Sequence, residues 1–149
     1  MKICIPDKSR ISEAANAFLA TYPSGGVFGL QGDLGVGKTT WVKAVIAELC
    51  ARSGKPIPRI TSPSFVIHQN YAMKPRVDHF DLYRLEIASD ADLIEIGFWE
   101  AVDSSQAEHG YCFVEWPEKA TSQNLNLTAT LKFSFDSSSE TRRWIEIFK

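Results

Sequence analysis

The apolar positions repeat with two different periods, and the change from one to the other organises the chain. Ser9 to Ala20 carries Ile11, Ala14, Ala15, Phe18 and Leu19 at i, i+3, i+4, i+7 and i+8, which predicts a helix with Ser9 or Ser12 as its cap. Thr21-Tyr22-Pro23-Ser24-Gly25-Gly26 stops it and turns the chain. Val27-Phe28-Gly29-Leu30 is a short, nearly unbroken apolar run, the form of a strand buried on both faces. Trp41, Val42, Val45, Ile46 and Leu49 make a second helical face, ended by Arg52-Ser53-Gly54-Lys55-Pro56. Phe65-Val66-Ile67 and Arg76 to Leu82 read as strands. Ser89-Asp90-Ala91-Asp92 reads as a capping box before a short helix with Leu93, Ile94 and Ile96. Tyr111-Cys112-Phe113-Val114 is a further buried strand. Period two then takes over: Leu125, Leu127, Ala129, Leu131, Phe133 and Phe135 alternate with polar residues, which predicts a long half-buried strand. Asp136 to Glu140 is a polar turn, and Trp144 to Phe148 returns as the hairpin partner.

No repeat, linker or low-complexity segment divides the 149 residues, so the expectation is a single α/β domain over 1–149, buried strands first and a hairpin last. A chain of this length buries enough core to need no disulfide or structural metal. Cys4, Cys50 and Cys112 are widely spaced with no Cys-x-x-Cys pair, and are expected as buried free thiols. No apolar run approaches the ~20 residues of a membrane span, and the N-terminus lacks a secretory core. A cytoplasmic protein is expected. With a net charge of −2 and basic and acidic residues interspersed, strong direct nucleic-acid binding is not expected.

Gly32-Asp33-Leu34-Gly35-Val36-Gly37-Lys38-Thr39 fits G-x-x-x-x-G-K-[ST] between a predicted strand and a predicted helix. Backbone N–H groups of such a loop converge on phosphate oxygens, helped by the positive end of the following helix. Lys38 then faces the outer phosphates, and Thr39 offers its hydroxyl to magnesium. The nucleotide site is therefore expected at Asp33, Leu34, Gly35, Val36, Gly37, Lys38, Thr39 and Thr40, with ATP and Mg2+ as cofactors. A second metal ligand at a neighbouring strand end is required. Glu115 closes the run Tyr111–Val114, and Asp81 ends Val77-Asp78-His79-Phe80; either binds the ion or polarises water, or is a solvated carboxylate. His79 shares a strand face with Asp81 and is either in the site or an ordinary structural histidine. Trp116 either stacks on something or covers the sheet end. Arg142-Arg143 reads as a solvated hairpin face. Thr61-Ser62-Pro63-Ser64 is either a phosphate-sensing loop or a plain turn.

Four segments occur in order: Gly32–Thr40, Thr61-Ser62-Pro63-Ser64-Phe65, His79-Phe80-Asp81-Leu82-Tyr83-Arg84-Leu85 and Val114-Glu115-Trp116-Pro117-Glu118. In these the chain resembles the TsaE family, small bacterial P-loop ATPases of tRNA threonylcarbamoyl-adenosine modification. The resemblance spans about residues 27–119. It implies a P-loop NTPase-like fold with a mainly parallel central sheet flanked by helices and a C-terminal antiparallel hairpin. It also implies TsaB and TsaD as partners, with tRNA reached through the complex. By position it makes Thr39 and Glu115 magnesium ligands, Lys38 the phosphate contact and Asp81 part of the metal and water network, with Trp116 functionally important. Lys38, Asp81 and Glu115 are then the catalytic group. Ser64, where threonine is common, and Trp99, where tyrosine is, depart from the pattern. Two other readings fit the P-loop. One is a small-molecule kinase, although no arginine-rich lid segment appears; the other is a nucleotide-gated binding module whose hydrolysis is incidental.

Overall fold

The computed structural model describes residues 1–60 and 67–149. The hydroxyl-rich segment at 61–64 and the first two residues of the Phe65–Ile67 strand lie outside the described residues. The elements are β1 (Lys2–Ile5), α1 (Ile11–Thr21), β2 (Gly26–Gln31), α2 (Lys38–Ser53), β3 (His68–Tyr71), β4 (Val77–Asp81), α3 (Asp90–Glu95), α4 (Phe98–Ala107), β5 (Tyr111–Glu115), β6 (Ala129–Asp136) and β7 (Ser139–Phe148). One seven-stranded sheet runs β1-β7-β6-β2-β5-β4-β3. Its four central strands, β6, β2, β5 and β4, are parallel, and antiparallel pairs flank them on both sides.

Helices cover both faces, so the central strands are apolar throughout. On one face α1 and α2 press Phe18, Trp41, Val45 and Ile46 onto Phe28, Phe113 and Leu131. Trp41 lies edge-on to Phe18, Phe113 and Phe133, with centroids 4.8–5.8 Å apart. Val42, Val45 and Ile46 are fully buried, each stabilising the α2–sheet contact by about 1.5–3 kcal/mol. On the other face α3 and α4 bring Leu93, Phe98 and Ala101 against Val27, Phe80 and Val114.

Local signals hold where side chains close their own hydrogen bonds. Ser89 and Asp92 form the expected capping box at α3, with Asp92 N–H on Ser89 Oγ and Ser89 N–H on Asp92 Oδ2. Gly54, at φ 65°, ends α2 as expected. Elsewhere the structure differs. Neither Ser9 nor Ser12 caps α1; Asp7 instead accepts from Ser9 N–H and caps a single 3-10 turn, Lys8–Arg10, that leads into the helix. The tail is not one strand. Leu125 and Leu127 pack with the α3–α4 side, whereas Ala129, Leu131 and Phe133 pack with α1 and α2. The chain changes faces at Thr128, whose N–H and Oγ1 both engage the Val27 backbone. The strand expected over Arg76–Leu82 is shorter at both ends. Cys50 and Cys112 are buried, but Cys4 is exposed on β1 at the sheet edge.

Candidate functional site

The carboxyl ends of β2, β5 and β4 lie side by side, with Leu30 paired to Glu115 and Glu115 to Asp81. Ligands of open parallel sheets bind beyond such ends. From β2 the chain passes through Gly32–Gly37 and enters α2 at Lys38. Gly37 takes φ 112° at the helix N-cap, a backbone region that side-chain-bearing residues rarely adopt. A Cβ at Gly32 would come within 2.6 Å of the Phe133 carbonyl oxygen. The loop is thus held in a form that leaves the first α2 N–H groups open to an anion.

Lys38 is 4% exposed, and its ammonium donates to the carbonyls of Gly32 (2.6 Å) and Asp33 (3.1 Å). It also lies 4.4 Å from the Trp116 ring centroid. Burial lowers the Lys38 pKa, against the opposing pull of Glu115 and Asp81. The next residue, Thr39, donates its hydroxyl to Glu115 Oε1 at 2.6 Å, and His79 Nε2 approaches the same oxygen at 2.8 Å. Asp81 Oδ1 accepts from Tyr83 N–H at 3.0 Å. Burial raises the Asp81 pKa and the neighbouring Glu115 carboxylate adds to it, while the Tyr83 N–H works the other way.

These groups surround a cleft of about 620 Å³ lined by Lys38, Thr39, Asp81, Tyr83, Glu115 and Trp116 among others. Of the expected nucleotide residues, Leu34, Gly35, Gly37 and Thr40 line it too. Asp33 contributes its carbonyl to Lys38, and Val36 is turned into the core. A second cavity of about 540 Å³ lies beyond the loop and shares Gly35, Gly37 and Thr40 with the first. Its other walls include Ile5, Ile11, Phe133 and Arg143, so Arg143 borders a cavity rather than a plain solvated face.

Trp116 has φ 59°, costly for a bulky side chain. Its ring meets Tyr83 at 5.1 Å, and Lys119 ties the far side by donating to the Tyr83 and Leu85 carbonyls at 2.6 and 3.0 Å. Tyr83, Arg84 and Lys119 were given no site role from sequence, although Tyr83 and Arg84 lie in the His79–Leu85 segment that carries the resemblance; Lys119 had no signal.

The donors fit a magnesium ion in kind: a hydroxyl and two carboxylates are hard oxygen ligands. Among the described residues no group of three His, Cys, Asp or Glu side chains makes a cage by itself. An ion held by Thr39 and Glu115 would therefore need phosphate oxygens and water to complete its shell, the usual habit of Mg2+. No helix among the described residues is long and apolar enough to cross a membrane.

The sequence model of the family described as threonylcarbamoyl adenosine biosynthesis protein TsaE matches residues 5–145. A tRNA threonylcarbamoyladenosine biosynthesis protein TsaE of Treponema pallidum is 36% identical over 107 residues, 72% of this chain and 71% of that one. One from Synechocystis is 32% identical over 120 residues, covering 80% and 71%. Among solved structures, Bacillus subtilis YdiB superposes with a TM-score of 0.57 at 26% identity, over 97% of this chain and 82% of that one. With the family model matching residues 5–145 and a relative 36% identical over 72% of the chain, the chain belongs to the TsaE family.

Proposed function

We propose that the chain is a Mg2+-dependent ATPase that supports threonylcarbamoyl-adenosine modification of tRNA, working with TsaB and TsaD. The observation that carries this reading is the 2.6 Å hydrogen bond from the Thr39 hydroxyl to Glu115 at the start of α2. It joins the second half of a phosphate loop to the acid of a buried strand, the pairing that brackets a nucleotide-bound metal in P-loop enzymes. The triphosphate occupies the cleft and the nucleoside the second cavity, since both cavities border Gly35, Gly37 and Thr40.

In this reading Lys38 leaves the Gly32 and Asp33 carbonyls for the outer phosphates, drawn by a stronger charge-assisted contact. Thr39 and Glu115 would hold the ion, whose charge would neutralise that gathering on the transferred phosphoryl group. Asp81 stands beside Glu115 in register, where burial raises its pKa, and its carboxylate orients the attacking water. Trp116 covers Lys38 and keeps bulk water from the phosphate end.

The test is ATP hydrolysis by the purified chain, alone and with TsaB, TsaD and tRNA. Weak activity that rises with the partners and is lost in Lys38→Ala is the expected result. Hydrolysis indifferent to the partners would overturn the coupling, and hydrolysis surviving Lys38→Ala would overturn the site.

A further inference from the structure

His79 lies beneath the cleft, 1% exposed, on β4 beside the β5 strand that carries Glu115. Its Nε2 is 2.8 Å from Glu115 Oε1, and its other nitrogen, Nδ1, is buried with no hydrogen-bond partner among the described residues. Thr39 already donates to that same oxygen, so a carboxylate there accepts from Nε2–H as well; the hydrogen-bond network assigns this tautomer. Such a ring carries a cost, because an unpaired buried polar atom destabilises the fold. A hydrocarbon of similar size would avoid it. What the imidazole provides that a hydrocarbon cannot is the bond to Glu115.

We propose that His79 is a positioning residue that holds the Glu115 carboxylate in place for the metal, a role that rests on Glu115 and Thr39 binding Mg2+·ATP. Both hydrogen bonds fall on Oε1 and leave Oε2 free of them. An ion bound at Thr39 would take a lone pair of its oxygen and leave the O–H free to donate to Oε1, so Thr39 would serve the ion and Glu115 together. His79 has no such second duty. Buried away from water on a neighbouring parallel strand, its contact is set by the fold and fixes the carboxylate torsion with or without an ion. Without it, Glu115 is held by Thr39 alone and turns with that side chain. The effect appears in the metal-dependent part of nucleotide affinity and leaves the P-loop contacts alone.

The experiment measures ATP affinity by titration calorimetry twice, with excess Mg2+ and with EDTA, for wild type, His79→Leu and His79→Gln. His79→Leu is expected to lose about tenfold or more of the gain that Mg2+ confers, the usual size for a group supporting a metal ligand. Its metal-free ATP affinity stays at the wild-type value. His79→Gln, whose amide N–H reaches about as far as Nε2, recovers most of the gain. A full Mg2+ gain in His79→Leu overturns the proposal. So does an equal loss with and without Mg2+, which marks His79 as a pin of the fold. A wild-type chain that binds ATP with no help from Mg2+ instead overturns the metal reading itself, and the proposal with it.

Discussion

Asp81 and Trp116 show how single residues at the cleft are held in costly states. Trp116 sits in the left-handed region, pinned between Lys38 on one side and Tyr83 with Lys119 on the other. Such outliers persist only where surrounding contacts determine them, and they concentrate at working sites. Asp81 is held in a costly state by charge. Because burial and Glu115 raise its pKa, the folded chain binds the Asp81 proton more tightly than the unfolded chain does. Stability from this group is therefore present at low pH and lost as pH rises through the raised folded value, so at neutral pH the ionised carboxylate is a net cost. Asp81→Asn keeps an acceptor for Tyr83 N–H and removes that cost. The variant should melt at a higher temperature than wild type at pH 7 while hydrolysis falls by about a hundredfold or more. A lower melting temperature with activity retained would instead make Asp81 an ordinary stabilising carboxylate.

At the scale of elements, the opposite case is Asp78, on the other face of β4. It is fully buried, and accepts from His68 and Asn70 of β3, Arg76 beside it and Ser105 of α4. Burial alone pushes its carboxyl up, but His68, Arg76 and Asn70 together more than reverse this, to about 2 against an ordinary 3.8. A depressed carboxyl contributes stability that is present above the unfolded value and is lost as pH falls through the folded one. Asp78→Ala should cost about 2 kcal/mol in urea unfolding at pH 7, since it takes the acceptor from a half-buried Arg76 and from several other donors. The gap between wild type and Asp78→Asn should close as pH falls from about 4 to about 2; a gap that stays constant would mean the charge does not matter. This cluster was not legible in the sequence, because its members are joined by the β3–β4 register and by α4 packing, not by spacing. Gly32–Thr39 and the Ser89–Asp92 box were legible because their chemistry closes within eight residues. The α4 helix, β1 and β3 were missed: the short strands β1 and β3 gain their order from pairing with β7 and β4 and, for β1, from burying Ile5. The unbroken alternation from Leu125 to Phe135 misled because period two says which residues share a face only while the strand continues, and here it stops at Thr128. Glu115 and Asp81 were legible as strand ends; that they stand side by side follows from the parallel pairing alone.

At the scale of the whole molecule, Lys38, Thr39, Asp81 and Glu115 come from three separate elements, and the packed core lies behind them on both faces of the sheet. Among the described residues they are met by one another, by His79, by the Tyr83 N–H, by loop carbonyls and by the Trp116 ring. Any ligand that binds the folded chain and not the unfolded one stabilises it by mass action. At a hundred times its dissociation constant, the proposed ligand Mg2+·ATP would contribute about 2.7 kcal/mol, which for a chain of this size would raise the melting temperature by about 5–10 °C. The shift should depend on the pair of elements that meet at the 2.6 Å bond. In Lys38→Ala it should fall close to nothing with or without Mg2+, because the phosphate contact on α2 is gone. In Glu115→Gln the part seen in EDTA should survive and the further rise on adding Mg2+ should vanish, because β5 no longer supplies a charged oxygen to the ion. Thermal scans of the three proteins with ATP, in EDTA and in Mg2+, read this out. Should Glu115→Gln keep the full Mg2+ increment, the strand-end acid is not the metal partner of Thr39, and Asp81, its neighbour in register, takes that place in the site.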